Sequence, residues 1–299
     1  MEIIGIDLGG HNISAAVIET DGAAPFIAAR CAVQTPSGRS LDDVVSSVTD
    51  IVAELSDGRN ICSVGIGVPA FLDAERRKIT YFTNFSGLED IEFPDIIGRV
   101  LKSREINVTV RMENDANCSA LGEGFCGAAK NCSDFVVLTL GTGIGAGIVA
   151  NGRLIAGAHG MAGEAGHIPV FYDKKLICAC GGAGHLERVF SADAFERAAL
   201  KAGLPADFKS MWKCRKEGKT AAIITPALDA LARSIAYFAA VLDPEMIILN
   251  GGISRADGLV DELAEMTLPY LSIPFRQHLN IVRSELGADA ALFGAASLK

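Results

Sequence analysis

Two glycine-rich segments of the same design constrain the fold more than any other feature of this sequence. They span residues 3–10 and 137–145, and each joins a β-branched run to a second apolar run through a tight glycine turn. Aligning Asp7 with Thr139 superimposes the glycines of the two turns. A glycine at such a bend lets backbone N–H groups approach an anion, because a Cβ there would block the approach. Two such hairpins about half a chain apart predict two related lobes that hold one polyphosphate.

Composition narrows the possible partners. The 299 residues suffice for two domains, and 49% hydrophobic with only 6% aromatic residues is typical of aliphatic α/β cores. The net charge of -9 argues against non-specific nucleic-acid binding, which requires a basic face. An anionic ligand must therefore be held by local backbone dipoles and a metal ion.

The sequence predicts neither a membrane span nor a secreted protein. No segment reaches the roughly 18 uninterrupted apolar residues of a membrane span. Glu2 and Asp7 interrupt the start of the chain, so it does not resemble a signal peptide. We therefore expect a cytoplasmic protein in which most of the eight cysteines are reduced.

Local signals predict alternating strands and helices. Ser40 begins a helix that runs to about Leu55, and Asn151-Gly152 forms the turn between two strands of the second lobe. Thr225 is the predicted N-cap, and Pro226 the predicted first residue, of a helix that ends at Leu242. Residues 159–187 lack periodicity and are predicted to form a loop region. Further helices are predicted over 91–104, from 117, over 191–202, over 257–270 and from about Asp289.

Acidic and amide side chains follow two of the predicted strands. Asp7 precedes the first glycine turn, where a carboxylate can hold Mg²⁺ beside phosphates. Residues 112–117 lie where a strand ends and a helix begins, and Asp115 is our candidate for the base that accepts a hydroxyl proton. Asn114 would fix a neighbouring hydroxyl. The alternative is that Asp115 or Asn117 only caps the helix.

The most specific cluster combines cysteines and histidines. His167, Cys178, Cys180 and His185 supply four ligands, enough for tetrahedral zinc. The alternative is two buried cysteines and two loop histidines without a metal. Glu164 and Glu187 flank the cluster, so that two carboxylates and an imidazole would hydrogen-bond several hydroxyls.

With these motifs assembled, the chain resembles the ROK family (repressors, open reading frames, kinases) from Gly5 to about Ala296. The resemblance implies an ATP- and Mg²⁺-dependent sugar kinase with a structural Zn²⁺ and an α/β fold of two actin-like (ribonuclease H-like) lobes with an interdomain cleft. It implies Asp115 as the catalytic base. The other implied sites are phosphate and adenosine contacts at Asp7, Gly9, Gly10, Gly141, Thr142, Gly143, Gly251 and Gly252, sugar contacts at Asn84, Asn114, Asp115, Glu164, His167 and Glu187, and zinc ligands at His167, Cys178, Cys180 and His185.

This sequence departs from the usual family pattern at four positions. Ala70 stands where glucokinase-like members usually carry Gly, and Leu88 stands where they usually carry Trp. His11 replaces a hydroxyl residue beside the first phosphate loop, and His185 replaces the third zinc cysteine. The stretches around Pro69, over 157–169 and over 270–278 look most like D-allose kinases.

We therefore expect phosphorylation of the 6-hydroxyl of an aldohexose, with D-allose first. The alternatives are a glucokinase or N-acylmannosamine kinase of the same family, a sugar-responsive repressor, and a non-catalytic sugar sensor. A repressor would need a DNA-binding domain before the first phosphate loop, which begins at residue 5. The expected lobes are 1–115 with about 287–299, and 116–286. The resemblance also implies a homodimer, and the acidic charge and the lack of a membrane-length apolar segment predict that it binds neither nucleic acid nor membrane.

Overall fold

The structure, a computed structural model, describes residues 1–22, 24–36, 40–82, 89–170 and 175–298. The chain forms two compact units. Unit 1 comprises Met1–Asn131, Leu154–Ala162 and Ala288–Lys299, and unit 2 comprises Cys132–Arg153 and Gly163–Gly287.

Strands and helices alternate along most of the described ranges. The strands are β1 (Glu2–Leu8), β2 (Asn12–Glu19), β3 (Phe26–Gln34), β4 (Ile61–Val68), β5 (Ala70–Leu72), β6 (Ile79–Phe82), β7 (Thr109–Asn114), β8 (Phe135–Leu140), β9 (Ile144–Ala150), β10 (Arg153–Leu154), β11 (Met246–Asn250) and β12 (Ile281–Arg283). The helices are α1 (Leu41–Ser56), α2 (Phe93–Ser103), α3 (Asp115–Cys126), α4 (Ala192–Ala202), α5 (Phe208–Lys213), α6 (Gly218–Leu242), α7 (Leu259–Thr267), α8 (Ile273–Arg276) and α9 (Ala290–Ala296).

Unit 1 is built on a five-stranded sheet in the order β3-β2-β1-β4-β7. The first three strands are antiparallel, whereas β1, β4 and β7 run parallel. Their register places Asp7, Gly67 and Glu113 in one row across the sheet. The row lies near the carboxyl ends of the parallel strands, the edge at which α/β sheets bind ligands.

Unit 2 repeats this arrangement with the order β10-β9-β8-β11-β12. Again the first three strands form an antiparallel meander, predicted for residues 134–157, and β8, β11 and β12 run parallel. The turn from β9 to β10 has positive φ at Asn151 and Gly152, as the Asn-Gly pair predicts. The internal repeat inferred from the two glycine segments is therefore a repeat of the whole sheet.

The C-terminal helix α9 returns to unit 1 and packs closely on β1, β4 and α3. A Cβ on Gly5 would collide with the main-chain oxygen of Leu292, and one on Gly122 would collide with that of Ala290. These close contacts hold α3 in unit 1. The first boundary therefore falls after Asn131, not at the predicted residue 115.

Helix α6 differs from the prediction at its start. It begins at Gly218, eight residues before the expected first residue, and contains Pro226 in its interior. Thr220 and Ile224 are buried there, so the packing of an extra helical segment outweighs the hydrogen bond lost at proline. Of the helices in the described part of the chain, α6 alone is long and apolar enough to cross a membrane, but half of its most apolar window is buried.

Candidate functional site

The junction between β7 and α3 carries the predicted catalytic segment. Strand β7 ends at Asn114, whose Oδ1 accepts the N–H groups of Ala116 at 3.0 Å and Asn117 at 3.2 Å. Asn114 is thus the N-cap of α3, a role predicted as the alternative for Asp115 or Asn117. The Nδ2 of Asn114 points at the carbonyl of Ala70 at 3.5 Å, a weak contact that leaves this donor available to a ligand.

Asp115 and Asp7 form an electrostatically coupled pair in unit 1. Burial raises the pKa of Asp115 to about 6, even though the N–H groups of Ala116 and of Asp115 itself stabilise the carboxylate. Burial, and next the charge of Asp115, raise the pKa of Asp7 to about 7. Two such carboxylates are poised to accept a proton or to hold a cation near neutral pH.

The first glycine turn lies between β1 and β2, one residue after Asp7. The N–H of Gly9 donates to the carbonyl of Asn12 at 2.9 Å and closes the turn, which also contains Gly10. The predicted sugar ligand Asn84, together with Leu88, lies outside the described residues.

The second glycine turn, in unit 2, is also closed by a backbone hydrogen bond, but it is one residue shorter. The N–H of Gly141 donates to the carbonyl of Gly143 at 3.0 Å, and the exposed Thr142 lies between them. Glu187 supports this turn, since its Oε2 accepts the N–H of Ile144 at 2.9 Å. The sequence predicts only a sugar contact for Glu187. Its contact with the second glycine turn is not predicted by the sequence.

The turn after β11 lies beside the second glycine turn. Thr139 on β8 pairs with Asn250 on β11, so both turns leave the same edge of the sheet. Gly251 has φ +90°, and a Cβ there would collide with the main chain of Leu140. A Cβ on Gly252 would meet no heavy atom within 4 Å, and the φ of Gly252 is -62°.

The contrast between Gly251 and Gly252 allows two alanine variants of neighbouring residues to be compared. We expect Gly251→Ala to lower the free energy of unfolding by about 1–3 kcal/mol, because alanine adopts that φ only with strain. Gly252→Ala should change it by less than about 0.5 kcal/mol, as is usual for a site without steric conflict. Denaturant unfolding of both variants measures the difference, and equal stabilities would contradict the close approach at Gly251.

The histidine and cysteine side chains predicted to bind zinc converge within unit 2. One ligand atom from each of the four residues lies within 4.8 Å of all the others. The Nδ1 atoms of His167 and His185 are 3.3 Å apart, and the Cys180 Sγ is 3.3 Å from the Nδ1 of His185. The Nε2 of His167 lies 3.7 Å from the Oε2 of Glu164, beyond hydrogen-bond distance.

These spacings suit a tetrahedral ion. Zinc bonds of about 2.0 Å to nitrogen and 2.3 Å to sulfur place tetrahedral N–N ligand pairs about 3.3 Å apart and S–N pairs about 3.5 Å apart. The Cys178 Sγ is 4.0 Å from the Nδ1 of His167, slightly beyond that spacing. Burial and the neighbouring His167 lower the pKa of His185, which favours the neutral imidazole that binds metals. The donor set therefore fits zinc.

One part of the site was not anticipated from the sequence. The short hairpin of β5 and β6 brings Arg76 to Glu113, with its Nε 2.7 Å from the Glu113 Oε2. An arginine in the mostly charged segment 73–78 gives no sequence signal of this contact.

Two sheets of the same order, each with a glycine turn at its central hairpin, define the sugar kinase and actin-like ATPase fold that the sequence predicts. The ROK family model matches residues 3–299, and the chain belongs to the ROK family. The glucokinase of Thermotoga maritima is 33% identical over 100% of this chain and 97% of its own length. The N-acetyl-D-glucosamine kinase of Histophilus somni is 31% identical over 98% and 97%. The crystal structure of a ROK family glucokinase from Streptomyces griseus, in complex with glucose and AMPPNP, superimposes with a TM-score of 0.80 at 28% identity over 99% of this chain and 98% of that one.

Proposed function

We propose that this protein transfers the γ-phosphoryl group of ATP to the 6-hydroxyl of an aldohexose, with D-allose as the first candidate. The observation that carries the proposal is Asp115, a partly buried carboxylate with a pKa of about 6 at the start of α3. The protein is a sugar kinase by its family and by full-length relatives named glucokinase and N-acetyl-D-glucosamine kinase. The retained Asp115 argues against a non-catalytic sensor.

Asp115 acts as the general base in this proposal. Its carboxylate accepts the proton of the sugar 6-hydroxyl while the hydroxyl oxygen attacks the γ-phosphorus, and ADP leaves. The Nδ2 of Asn114 donates to a neighbouring sugar hydroxyl, since its Oδ1 is committed to capping α3. Glu164, His167 and Glu187 are the proposed sugar ligands of unit 2.

The glycine turns are the proposed phosphate contacts, and Gly251 and Gly252 are the proposed adenosine contacts. Asp7 would hold Mg²⁺ directly or through water, and this cation would neutralise charge on the phosphates. The raised pKa of Asp7, with Asp115 nearby, fits a cation, because a bound cation offsets the repulsion between the two carboxylates.

Zinc has a structural role in the proposal. Four protein ligands leave no open position for chemistry. The ion would hold residues 163–188, whose described part contains only short helical turns and isolated β-bridges. His167 would use Nδ1 for the metal and leave Nε2 on the side of Glu164.

The allose preference depends on the residues around Ala70. Ala70 is buried at the start of β5, and its carbonyl lies beside the Asn114 side chain. An added methyl group at this position changes the space next to a sugar ligand. Allose and glucose differ at one stereocentre, so their discrimination depends on whether one hydroxyl finds a partner. Glucose is the second candidate, because relatives of this chain are named glucokinase.

We expect a higher kcat/KM for allose than for glucose, and we expect Ala70→Gly to shift the ratio towards glucose. A coupled assay of ADP release measures both sugars for both proteins, with N-acetylmannosamine as a third substrate. A tenfold preference for glucose in the unchanged protein would overturn the allose assignment and favour a glucokinase.

We also propose a cytoplasmic location, and a homodimer, which the family resemblance implies. Size-exclusion chromatography with light scattering tests the homodimer directly.

A further inference from the structure

Arg76 occupies an unusual backbone position beside the catalytic junction. It lies between β5 and β6 with φ +58°, a left-handed conformation that is uncommon for residues other than glycine, asparagine and aspartate. Its side chain is only 16% exposed, and its Nε donates to the Glu113 Oε2 at 2.7 Å. A long cation is thus held against a buried carboxylate by a strained turn.

Glu113 also forms hydrogen bonds with residues of the junction between β7 and α3. Its Oε1 accepts the backbone N–H of Asn114 at 2.8 Å and the Nδ2 of Asn117 at 3.0 Å. Asn114 in turn caps α3, which begins at Asp115. A continuous series of hydrogen bonds therefore runs from the Arg76 guanidinium to the segment that carries the proposed base.

Other contacts fix the guanidinium in place. The Nη1 of Arg76 donates to the Asp73 carbonyl at 2.9 Å, and a Cβ on Gly160 would press against the same Nη1. The Asp73 carboxylate accepts the N–H groups of Arg77 and Lys78, which leaves Glu113 as the acid that Arg76 pairs with in the described residues.

This arrangement is a poor way to stabilise a fold. A buried ion pair gains little over apolar packing, the backbone at φ +58° is strained, and the buried Nη2 of Arg76 has no hydrogen-bond partner among the described residues. Strain of this kind is concentrated at functional sites. The geometry therefore favours a role for Arg76 in catalysis over a role in stability.

We propose that Arg76 is a positioning residue of the phosphoryl-transfer reaction. It acts through Glu113, which it orients so that the carboxylate holds the main chain of Asn114 and the side chain of Asn117. Asn114 and Asp115 are thereby fixed before the sugar binds. The inference rests on the proposed function, and it adds a residue from outside the predicted motifs to that site.

The test uses Arg76→Gly, because glycine adopts φ +58° without strain. Removal of the arginine side chain also leaves room for a free guanidinium ion beside Glu113. We expect kcat/KM for the preferred sugar to fall about 10- to 100-fold, the loss typical of a small misplacement of reacting groups. The loss should lie mainly in kcat, with the KM for ATP unchanged. Arg77→Gly, one residue further along and exposed, is the matched control and should keep its activity.

Chemical rescue separates positioning from a general loss of structure. Guanidinium chloride, at concentrations that leave the unchanged protein folded, should restore kcat of Arg76→Gly saturably, whereas sodium chloride should not. The double variant Arg76→Gly/Glu113→Gln should not respond, because it lacks the carboxylate that holds the guanidinium. If Arg76→Gly does not fold, Arg76→Asn, which also tolerates positive φ, takes its place.

Hydrogen exchange of peptides covering 113–118 gives a readout that does not depend on the substrate. Exchange should be faster in Arg76→Gly than in Arg77→Gly, and guanidinium should slow it again. Full activity in Arg76→Gly, unchanged exchange, or a folded variant without any rescue would overturn the inference. If the unchanged protein phosphorylated no sugar but the exchange result held, the proposed function would fail while the positioning of the junction stood.

Discussion

Replacing Asp115 with asparagine should lower kcat by about 10²- to 10⁴-fold, the usual contribution of a general base. Asparagine keeps the shape of the side chain but cannot accept the hydroxyl proton, so the Kd for the sugar should change little. In the unchanged enzyme kcat/KM should fall as the pH drops below about 6, where Asp115 becomes protonated. Steady-state kinetics and calorimetric sugar binding measure these quantities.

The same substitution should stabilise the fold at pH 8. Burial raises the pKa of Asp115 from 3.8 to about 6. Its contribution to stability is therefore fully present only below pH 3.8 and is lost as the pH rises through about 6. A shift of this size corresponds to a free energy on the order of 3 kcal/mol. Without added Mg²⁺, Asp115→Asn should thus have a higher Tm than the unchanged protein at pH 8, and the advantage should shrink towards pH 4.

Two results would contradict the assignment of Asp115. One is a loss of kcat smaller than about tenfold, because a general base contributes more. The other is a variant less stable than the unchanged protein at pH 8, which would mean that the carboxylate has a favourable partner in the folded chain.

Loss of the Cys178 thiolate should remove one zinc ion per chain. We expect protein purified without chelator to contain close to one zinc and Cys178→Ser to contain almost none, because a closed site needs all four ligands. Metal loss should lower the Tm by several degrees and kcat/KM at least about tenfold, since ligand orientation at the neighbouring residues depends on the ion. Metal analysis and thermal melts measure these effects.

Cys214→Ser is the control, because Cys214 is an exposed free cysteine of the same unit. It should keep its zinc and its Tm. Fewer than about 0.2 zinc per chain in the unchanged protein, far below the single ion a closed ligand set binds, would show that His185 marks a lost site.

The sheets and the glycine turns were predictable because each rests on local signals. Ser40 caps α1 with its side chain, as its spacing to Asp43 indicates. The alignment of Asp7 with Thr139 places both at the next-to-last residue of equivalent strands, β1 and β8. The four candidate zinc ligands were picked from residue type and their concentration in one loop, and the structure brings their side chains together.

The remaining features depend on contacts between distant residues, which one sequence does not show. The N-terminal extension of α6 depends on the burial of Ile224 in the core of unit 2. The contact between Glu187 and the second glycine turn joins residues 43 positions apart, and the contact of Arg76 with Glu113 joins residues 37 apart. The left-handed conformation of Arg76 runs against its own preference, so no local rule predicts it.

The most direct test of the proposed function is sugar-dependent ADP release by the purified protein. The assay supplies ATP and Mg²⁺ with allose, glucose, mannose, fructose or N-acetylmannosamine in turn, and Asp115→Asn serves as the inactive control. We predict turnover with at least one aldohexose, fastest with allose, and a product that carries its phosphate on the 6-hydroxyl. No sugar-dependent turnover in the unchanged protein, or equal turnover in Asp115→Asn, would contradict the proposed function.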